Sequence, residues 1–430
     1  MSSKTKTTAT KDEATLAFVP KLRFPEFQGA EAWKPVPLQE ASTQVTGRVG
    51  ERKLTPISIS AGIGFVRQAE KFGRDISGNQ YELYTLVKDG DFVFNKGNSL
   101  KFPQGCVYLL QGWGQVAAPN VFICFRLKDG YSNGFFQNCF EQNQHGRQLK
   151  RHITSGARSN GLLNINKETF FGVEIPTPGP VEQQKIAECL SSVDELIAAQ
   201  ARKVEALKTH KNGLMQQLFP RDGESQPRLR FPEFQNAGEW SVRTIGDMFQ
   251  LINGCAFKPE DWKPSGTPII RIQNLNDSSA EFNYSQAPVL GRNRIESGDL
   301  LFAWSGTLGS SFGARVWNGP SGVLNQHIFK VLMDKQQITL LFSLLVLSRV
   351  EEDIAKQSHG FKASFVHVKK SDLVKVELPL PTLPEQQRIA SGLSSLDVLI
   401  TAETQKLEGL KTHKKALMQQ LFPSQGEAEA

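Results

Sequence analysis

Residues 182–220 read EQQKIAECLSSVDELIAAQARKVEALKTHKNGLMQQLFP, and residues 385–423 read EQQRIASGLSSLDVLITAETQKLEGLKTHKKALMQQLFP. The two stretches agree at 26 of 39 positions, at a constant offset of 203 residues and without a gap. Apolar residues in the first fall at Ile186, Leu190, Val193, Ile197, Val204, Leu207, Leu214 and Leu218. In the second they fall at Ile389, Leu393, Leu396, Ile400, Leu407, Leu410, Leu417 and Leu421. Steps that alternate between four and three residues predict one long helix per copy, each with a single seam of the coiled-coil kind. At ~1.5 Å per residue such a helix is roughly 50 Å long. Two seams of this length can bury each other as an intramolecular antiparallel pair and act as a rigid spacer. The other solution is that each seam packs on its own globular domain.

Both seams are interrupted at equivalent places, by Gln200 and Lys211 in the first and by Glu403 and Lys414 in the second. Polar seam residues cost stability but fix register and orientation. In an antiparallel pair Gln200 and Glu403 lie near the middle of both helices. The ends carry ordinary helix punctuation: Thr382 and Glu385 have capping-box spacing, Pro384 falls in the first turn, and Pro220 and Pro423 stop the helices.

The repeat extends outward from the helices. At the same offset Pro178 matches Pro381, Pro176 matches Pro379, Glu174 matches Glu377 and Lys167 matches Lys370. After the first helix, residues 227–234 read PRLRFPEF, and near the start residues 20–27 read PKLRFPEF. A unit therefore begins at about residue 20 and again at about 227. Inside each unit, short strand-like runs are separated by glycine turns: residues 93–94, 107–110 and 121–126 in the first, and 268–272, 299–303 and 327–332 in the second. Gly90-Asp91 and Gly298-Asp299 each lead into an apolar run, as a turn feeding a buried strand does. Residues 340–357 form the clearest further helix. The expected class is α+β, with a curved sheet and flanking helices in each unit.

A chain of 430 residues with 39% apolar content is long enough for two or three cored domains. The longest apolar run, 340–347, is far shorter than the ~20 residues that span a bilayer. Residues 1–19 are polar, rich in Thr and Lys and without an apolar core segment, and are expected to be a disordered tail. The five cysteines form no CxxC pair and are odd in number, which indicates neither a disulfide framework nor a zinc site, and a cytoplasmic protein is expected. A net charge of +7 points weakly to a polyanionic partner. Distribution says more: Arg147, Lys150, Arg151 and Arg158 lead into or lie on the glycine-bearing loop 155–161. In the second unit Gly360, Lys362, Lys369 and Lys370 occupy the corresponding place. Such loops bring cations and backbone amides close to phosphates, or are simply solvated turns.

Catalytic signatures are missing. The chain contains no phosphate loop of the GxxxxGK[ST] kind, no HExxH, no GxSxG and no Asn/Asp-Pro-Pro-Tyr/Phe run. Gly62-Ile63-Gly64 is half of a dinucleotide fingerprint and lacks the third glycine. His210 and His413 recur within KTHK on the helices, with no nucleophile or carboxylate repeated beside them at active-site spacing.

These residues together resemble the specificity subunit of a type I restriction-modification system, over about residues 20–423. The most specific parts are the lead-in LPLPTLPEQQRIA at 378–390 and the closing LMQQLFP at 417–423, matched by Ile175-Pro176-Thr177-Pro178, EQQ at 182–184 and 214–220 in the first copy. Gly179-Pro180-Val181 departs slightly from the usual lead-in. Gly254, PIIRI at 268–272, Gly298-Asp299, Ser305-Gly306 and Asn325-Gln326-His327 are similar to the family's target-recognition domain, a pattern the first unit follows less well beyond Gly90-Asp91.

The resemblance implies two target-recognition domains separated by two long helices in an antiparallel intramolecular coiled coil, with pseudo-twofold geometry. The implied order is a tail at 1–19, domain 1 at 20–180, a spacer and linker at 181–226, domain 2 at 227–383, a second spacer at 384–423 and a tail at 424–430. It also implies a non-catalytic chain that binds no cofactor itself. Each domain would read one half of a bipartite target in double-stranded DNA, and the helices would set the gap and bind two copies of the modification subunit. S-adenosylmethionine would belong to that adenine-methylating subunit, and ATP and magnesium to restriction subunits with translocase and nuclease activity. No membrane partner is implied.

Arg pairs with guanine, Asn or Gln with adenine, and Lys suits phosphates. On that chemistry the DNA-contacting candidates are Lys96, Asn98, Arg151, Arg158 and Asn160 in the first unit, and Lys258, Arg271, Asn274, Ser305, Lys362 and Lys370 in the second. Trp113, Trp262 and Trp304 are assigned to core packing by default, with thymine methyls as the alternative. The two units differ strongly in these regions, so an asymmetric target is expected. The readings from other classes are a non-catalytic scaffold that binds proteins, and a chain that is itself a methyltransferase or nuclease.

Overall fold

The computed structural model of the chain describes residues 18–97, 102–153, 163–221, 223–277, 279–288, 291–358 and 365–423. The 1–17 and 424–430 segments, the loop 155–161, and the candidates Asn98, Arg158, Asn160 and Lys362 lie outside them. Packing divides the chain into two units, 1–201 with 405–430, and 202–404. Those limits differ from the linear boundaries at 180, 226 and 383. The reason is that each unit takes the start of one long helix and the end of the other.

In the first unit, an antiparallel sheet runs in spatial order Ser42–Gln44, Ile123–Leu127, Asp91–Asn95, Cys106–Leu109. A second sheet runs Gly64–Arg67, Thr55–Ser60, Gln115–Ala118, Thr85–Lys88, and its middle pair is parallel. A ribbon of Lys34–Pro37 with Glu174–Thr177 closes the unit. The second unit has the same plan: Phe249–Asn253, Ile328–Met333, Leu300–Ala303, Gly313–Val316, then Asn283–Ser285, Thr267–Ile270, Gly322–Leu324, Arg294–Ile295, and a ribbon of Ser241–Thr244 with Glu377–Leu380. The described residues of the second unit also include an antiparallel pair, Ser305–Thr307 with Phe365–His367. Among the described residues each unit therefore holds two four-stranded sheets, where a single curved sheet is the expectation from sequence.

Alternation along the central strands shows why both sheets exist. Phe92 and Phe94 point into the core that contains the helix Asn133–Glu141, whereas Val93 points into the second sheet's core. Leu300 and Phe302 likewise face the helix Leu340–Ser358, and Leu301 and Ala303 face the other sheet. A strand covered on both faces reads as an unbroken apolar run. The turns that feed these strands place Gly90 at φ 92° and Gly298 at φ 95°, a region that favours glycine. The following aspartates cap the turns, Asp91 accepting from the Lys88 N–H at 2.9 Å and Asp299 from the Glu296 N–H at 2.8 Å.

The two long helices span Pro180–Leu218 and Leu383–Leu421. Every seam position is buried or half-buried: Ile186, Leu190, Val193, Ile197, Gln200, Val204 and Leu207 in the first, Ile389, Leu393, Leu396, Ile400, Glu403, Leu407 and Leu410 in the second. Within the first unit Lys414 meets Asp194 at 2.8 Å and Glu141 at 3.3 Å. Within the second, Lys211 meets Asp397 at 2.6 Å and Lys203 meets Glu403 at 2.6 Å. The start of one helix thus lies beside the end of the other, which is the antiparallel arrangement. The first seam residues also enter the cores of their own units, Ile186 and Leu190 in one and Ile389 and Leu393 in the other. Both packing solutions open at the sequence level therefore operate, on different parts of the same seam.

The repeated EQQ and LRFPEF runs are two halves of one lock. Arg23 grips Glu182 with two N–H donors at 2.8 and 2.7 Å, and gives others to the carbonyls of Ala30 and Glu31. Arg230 grips Glu385 at 2.7 and 2.7 Å and serves Ala237 and Gly238 in the same way. The indoles of Trp33 and Trp240 each donate to the same carboxylate at 3.3 Å. Glu385 is consequently engaged by Arg230 and Trp240, the long-range partners that its capping-box spacing did not reveal. The next residue caps a domain helix: Gln183 accepts from the Ser132 N–H at 2.9 Å, and Gln386 from the Thr339 N–H at 3.0 Å. The closing LFP completes each core, with Phe422 stacked on Phe135 at 5.4 Å and Phe219 stacked on Phe342 at 5.5 Å.

Removing one partner of such a buried pair strands the other charge. Arg230→Met is expected to cost about 3 to 5 kcal/mol in denaturant unfolding monitored through the second unit.

His145 is 1% exposed, its ring against Phe94 and Phe140 at 6.0 and 5.6 Å, and among the described residues neither nitrogen has a hydrogen-bond partner of ordinary geometry. Burial pushes its pKa from 6.5 down to about 4, opposed by the nearby Gly105 backbone. The folded state keeps the ring neutral while the unfolded chain takes up a proton below pH 6.5. Stability therefore falls as the pH drops from 6.5 to about 4 and is unaffected by this group above that window. The loss is on the order of 3 kcal/mol, and His145→Leu is expected to flatten that slope in a pH series of unfolding midpoints.

Candidate nucleic-acid interface

In the second unit, loops at the strand ends gather a strip of planar polar and aromatic groups. The strand Thr267–Ile270 stops one residue before Arg271, short of the expected 272, and a brief helix Ile272–Asn276 follows. The Arg271 guanidinium lies over the Trp262 ring at 4.8 Å and donates from Nη1 to Asn283 Oδ1 at 2.7 Å. Beside it a cleft of about 210 Å³ is lined by Arg271, Ile272, Gln273, Asn325, His327 and Ile328. The His327 ring continues the strip to Trp304 at 5.3 Å, and Trp304 meets His367 at 4.7 Å. The indole nitrogens of Trp262 and Trp304 and the Nδ1 of His327 are buried without a hydrogen-bond partner among the described residues. Orphaned nitrogens of this kind are costly and mark a place where a polar partner is missing.

The sequence-chosen residues separate into two groups. Lys258 is exposed at the entry to the turn Pro259–Asp261, and Arg271 lines the cleft. Asn274 is 1% exposed and committed internally, accepting from the Arg271 N–H at 3.0 Å and donating to the Ala280 carbonyl at 3.1 Å. Ser305 is buried in the strand pair opposite His367. Lys370 gives its ammonium to the Leu251 carbonyl at 2.6 Å. These three hold loops and strands in place. Trp304 packs half-buried against the core of the second unit, stacked on Phe329 at 5.7 Å, as its default assignment expects. Trp262 stands half-buried under the Arg271 guanidinium, and Gln273, Asn325 and His327, which are not among the candidates, line the cleft. The Asn325-Gln326-His327 run carried the available signal.

The first unit builds a different surface. The Gly62-Ile63-Gly64 run forms the tip of the hairpin that joins Thr55–Ser60 to Gly64–Arg67, and Ile63 is 76% exposed there. The Gly62 N–H donates to the Tyr108 hydroxyl at 2.9 Å, and Phe65 packs edge-on to Tyr108 and Trp113 at 6.3 and 6.5 Å. Lys71 is tethered to the Ile59 carbonyl at 2.7 Å, and burial lowers its pKa. Lys96 is half-buried after the strand Asp91–Asn95, and Arg151 is exposed on the turn Lys150–His152. Aromatic groups dominate this hairpin surface where the second unit's cleft offers amides, imidazole and guanidinium.

Residues 77–209 and 237–412 match the family described as type I restriction modification DNA specificity domain. The chain belongs to that family. Among relatives of this specificity family, the type I restriction enzyme MjaVIII specificity subunit of Methanocaldococcus jannaschii is 24% identical over 285 residues, 63% of this chain and 66% of the relative. The putative type I restriction enzyme MjaX specificity subunit of the same organism is 27% identical over 291 residues, 65% of each chain. The matched part thus spans just under two thirds of these relatives. Among solved structures, the S subunit of a type I restriction-modification system from M. genitalium is similar with a TM-score of 0.54 at 16% identity, covering 94% of this chain and 99% of that one. A chain from a structural study of complex assembly and conformational transition of the type I R-M system gives 0.56 at 16% identity, covering 91% and 98%. These likenesses confirm the fold of a specificity-family chain. No helix of the described residues is long and apolar enough to cross a membrane.

Proposed function

We propose that this chain is the DNA sequence-specificity subunit of a type I restriction-modification complex. Each unit reads one half of an asymmetric bipartite target, and the paired helices fix the unspecified gap. The observation that carries this reading is one β framework present twice with unlike loop chemistry: guanidinium, amide and imidazole at one cleft, aromatic groups at the other hairpin. A common scaffold with different reading edges fits two different half-sites. Arg271 and Lys258 in the second unit and Arg151 in the first remain the favoured DNA contacts, with Lys in the phosphate role. This chain contributes no catalytic group; adenine methylation with S-adenosylmethionine, and translocation and cleavage with ATP and magnesium, belong to modification and restriction subunits.

Support for two modification subunits comes from the helices. Leu196 is 58% exposed and its equivalent Leu399 is 41% exposed, with Val398 beside it at 69%. Large apolar residues left in solvent at the same repeat position offer each unit one like docking point. Leu196→Glu and Leu399→Glu are each expected to remove one modification subunit from the complex, read as a loss of one copy in native mass spectrometry. Both together remove two.

Mapping of methylated sites in a host that carries the complete system tests the reading itself. A bipartite asymmetric motif is expected, and a chain that binds only proteins leaves none. Four residues inserted after Gln200 and four after Glu403 keep the ion pairs of each unit in register, because both insertions fall at the division between units. They add about 6 Å, or roughly two base pairs, to the gap while leaving both half-sites unchanged. Changed half-sites with an unchanged gap would refute the spacer role.

A further inference from the structure

The arginine beside the cleft of the second unit is held more firmly than a phosphate contact requires. Stacking on Trp262 at 4.8 Å fixes the plane of the Arg271 guanidinium, and the bond to Asn283 at 2.7 Å fixes its rotation. Asn283 belongs to the edge strand Asn283–Ser285, which pairs with Thr267–Ile270, so the clamp is built from adjacent strands of one sheet. Only one guanidinium N–H is engaged in this way among the described residues, and the group lines a cleft it shares with Gln273, Asn325 and His327. The Nδ1 of His327 and the indole N–H of Trp262 add buried nitrogens at the same place that lack a polar partner among the described residues. We infer that Arg271 reads a guanine in the half-site of the second unit, and that Trp262 and Asn283 are positioning residues that hold its fork in the reading orientation.

The chemistry favours guanine over other targets. Guanine presents O6 and N7 side by side in the major groove, and a planar fork of N–H donors meets both at once. A phosphate can also be met by a mobile lysine acting as a point charge, so recognising one does not by itself require a fixed fork. A base edge rewards it, because a preformed orientation avoids ordering a long side chain on binding. Lysine has no such fork, and Arg→Lys at a stacked, bidentate site is not conservative.

This inference rests on the proposed specificity role, and the experiment keeps the two apart. Complexes that contain the full chain with Arg271→Ala, Arg271→Lys, Arg271→Gln or Trp262→Leu are compared with the parent complex by mapping methylated sites in the host. The parent complex is expected to show a bipartite motif with a guanine in the second half. Both arginine removals, to Ala and Gln, relax that one position to any base, with discrimination there falling about 10- to 100-fold, while the first half and the gap stay unchanged. Trp262→Leu, which leaves Arg271 in place, relaxes the same position partially, a base-specific effect that general loss of packing does not produce. Arg271→Lys fails to restore it. An unchanged motif in Arg271→Gln overturns the inference, as does a uniform drop in methylation at all sites that lysine restores, the signature of a phosphate contact. Absence of any bipartite motif from the parent complex overturns the specificity role itself.

Discussion

A lysine in each helical seam that meets an aspartate of the other helix is the constraint from which the rest follows. Lys211 with Asp397 and Lys414 with Asp194 occupy equivalent places in the two copies, and both pairs form only when the helices run in opposite directions. A purely apolar seam tolerates sliding and reversal; a charge that must find one partner does not. Exposed pairs of this sort contribute little stability, and their value lies in choosing the register. With direction settled, the end of the second helix returns to the first unit. There Phe422 fills the space between Trp33 and Phe135, and Phe219 does the same for Trp240 and Phe342 in the second unit.

The second constraint is the buried arginine–glutamate lock at the root of each helix. A buried ion pair gains little over an apolar contact of equal size unless its remaining donors are satisfied. Here two backbone carbonyls and an indole complete the set in both units. The neighbouring glutamine ties the same helix start to the domain helix behind it. Two consecutive side chains, the glutamate and the glutamine after it, therefore fix how a sheet domain sits on its helix. That requirement is shared by both units whatever their loops contain, and it explains why EQQ and LRFPEF recur while the loop sequences diverge.

Helices, seam and strand positions were legible because each is a local pattern. Four-three spacing marked the helices, and the runs at 299–303 and 327–332 fall within two residues of Leu300–Ala303 and Ile328–Met333. Apart from the pairing of the two repeated helices, relations between distant residues were not legible. Glu385 has the spacing of a cap, and nothing near it in the sequence announces Arg230, 155 residues away. The two-sheet layering of each unit was hidden for a related reason: an apolar run reports burial on both faces but not what covers them. Among candidate contacts, residue type alone could not separate Arg271, which faces a cleft, from Asn274 and Lys370, which satisfy loop and strand backbone, or from Ser305, which is buried in a strand pair. Polar residues at strand ends serve turns as often as ligands.

The proposed function rests on this division of labour between shared supports and unlike loop edges. The supports are repeated; the edges are individual. The central claim, that one chain folds its two long helices against each other in opposite directions, is tested most directly by zero-length carbodiimide cross-linking of a mixture of isotopically labelled and unlabelled chain, followed by peptide mass spectrometry. The account predicts amide links from Lys211 to Asp397 and from Lys414 to Asp194, each joining peptides that carry the same label. Links between differently labelled peptides, or Lys211 joined to Asp194 instead, would contradict it.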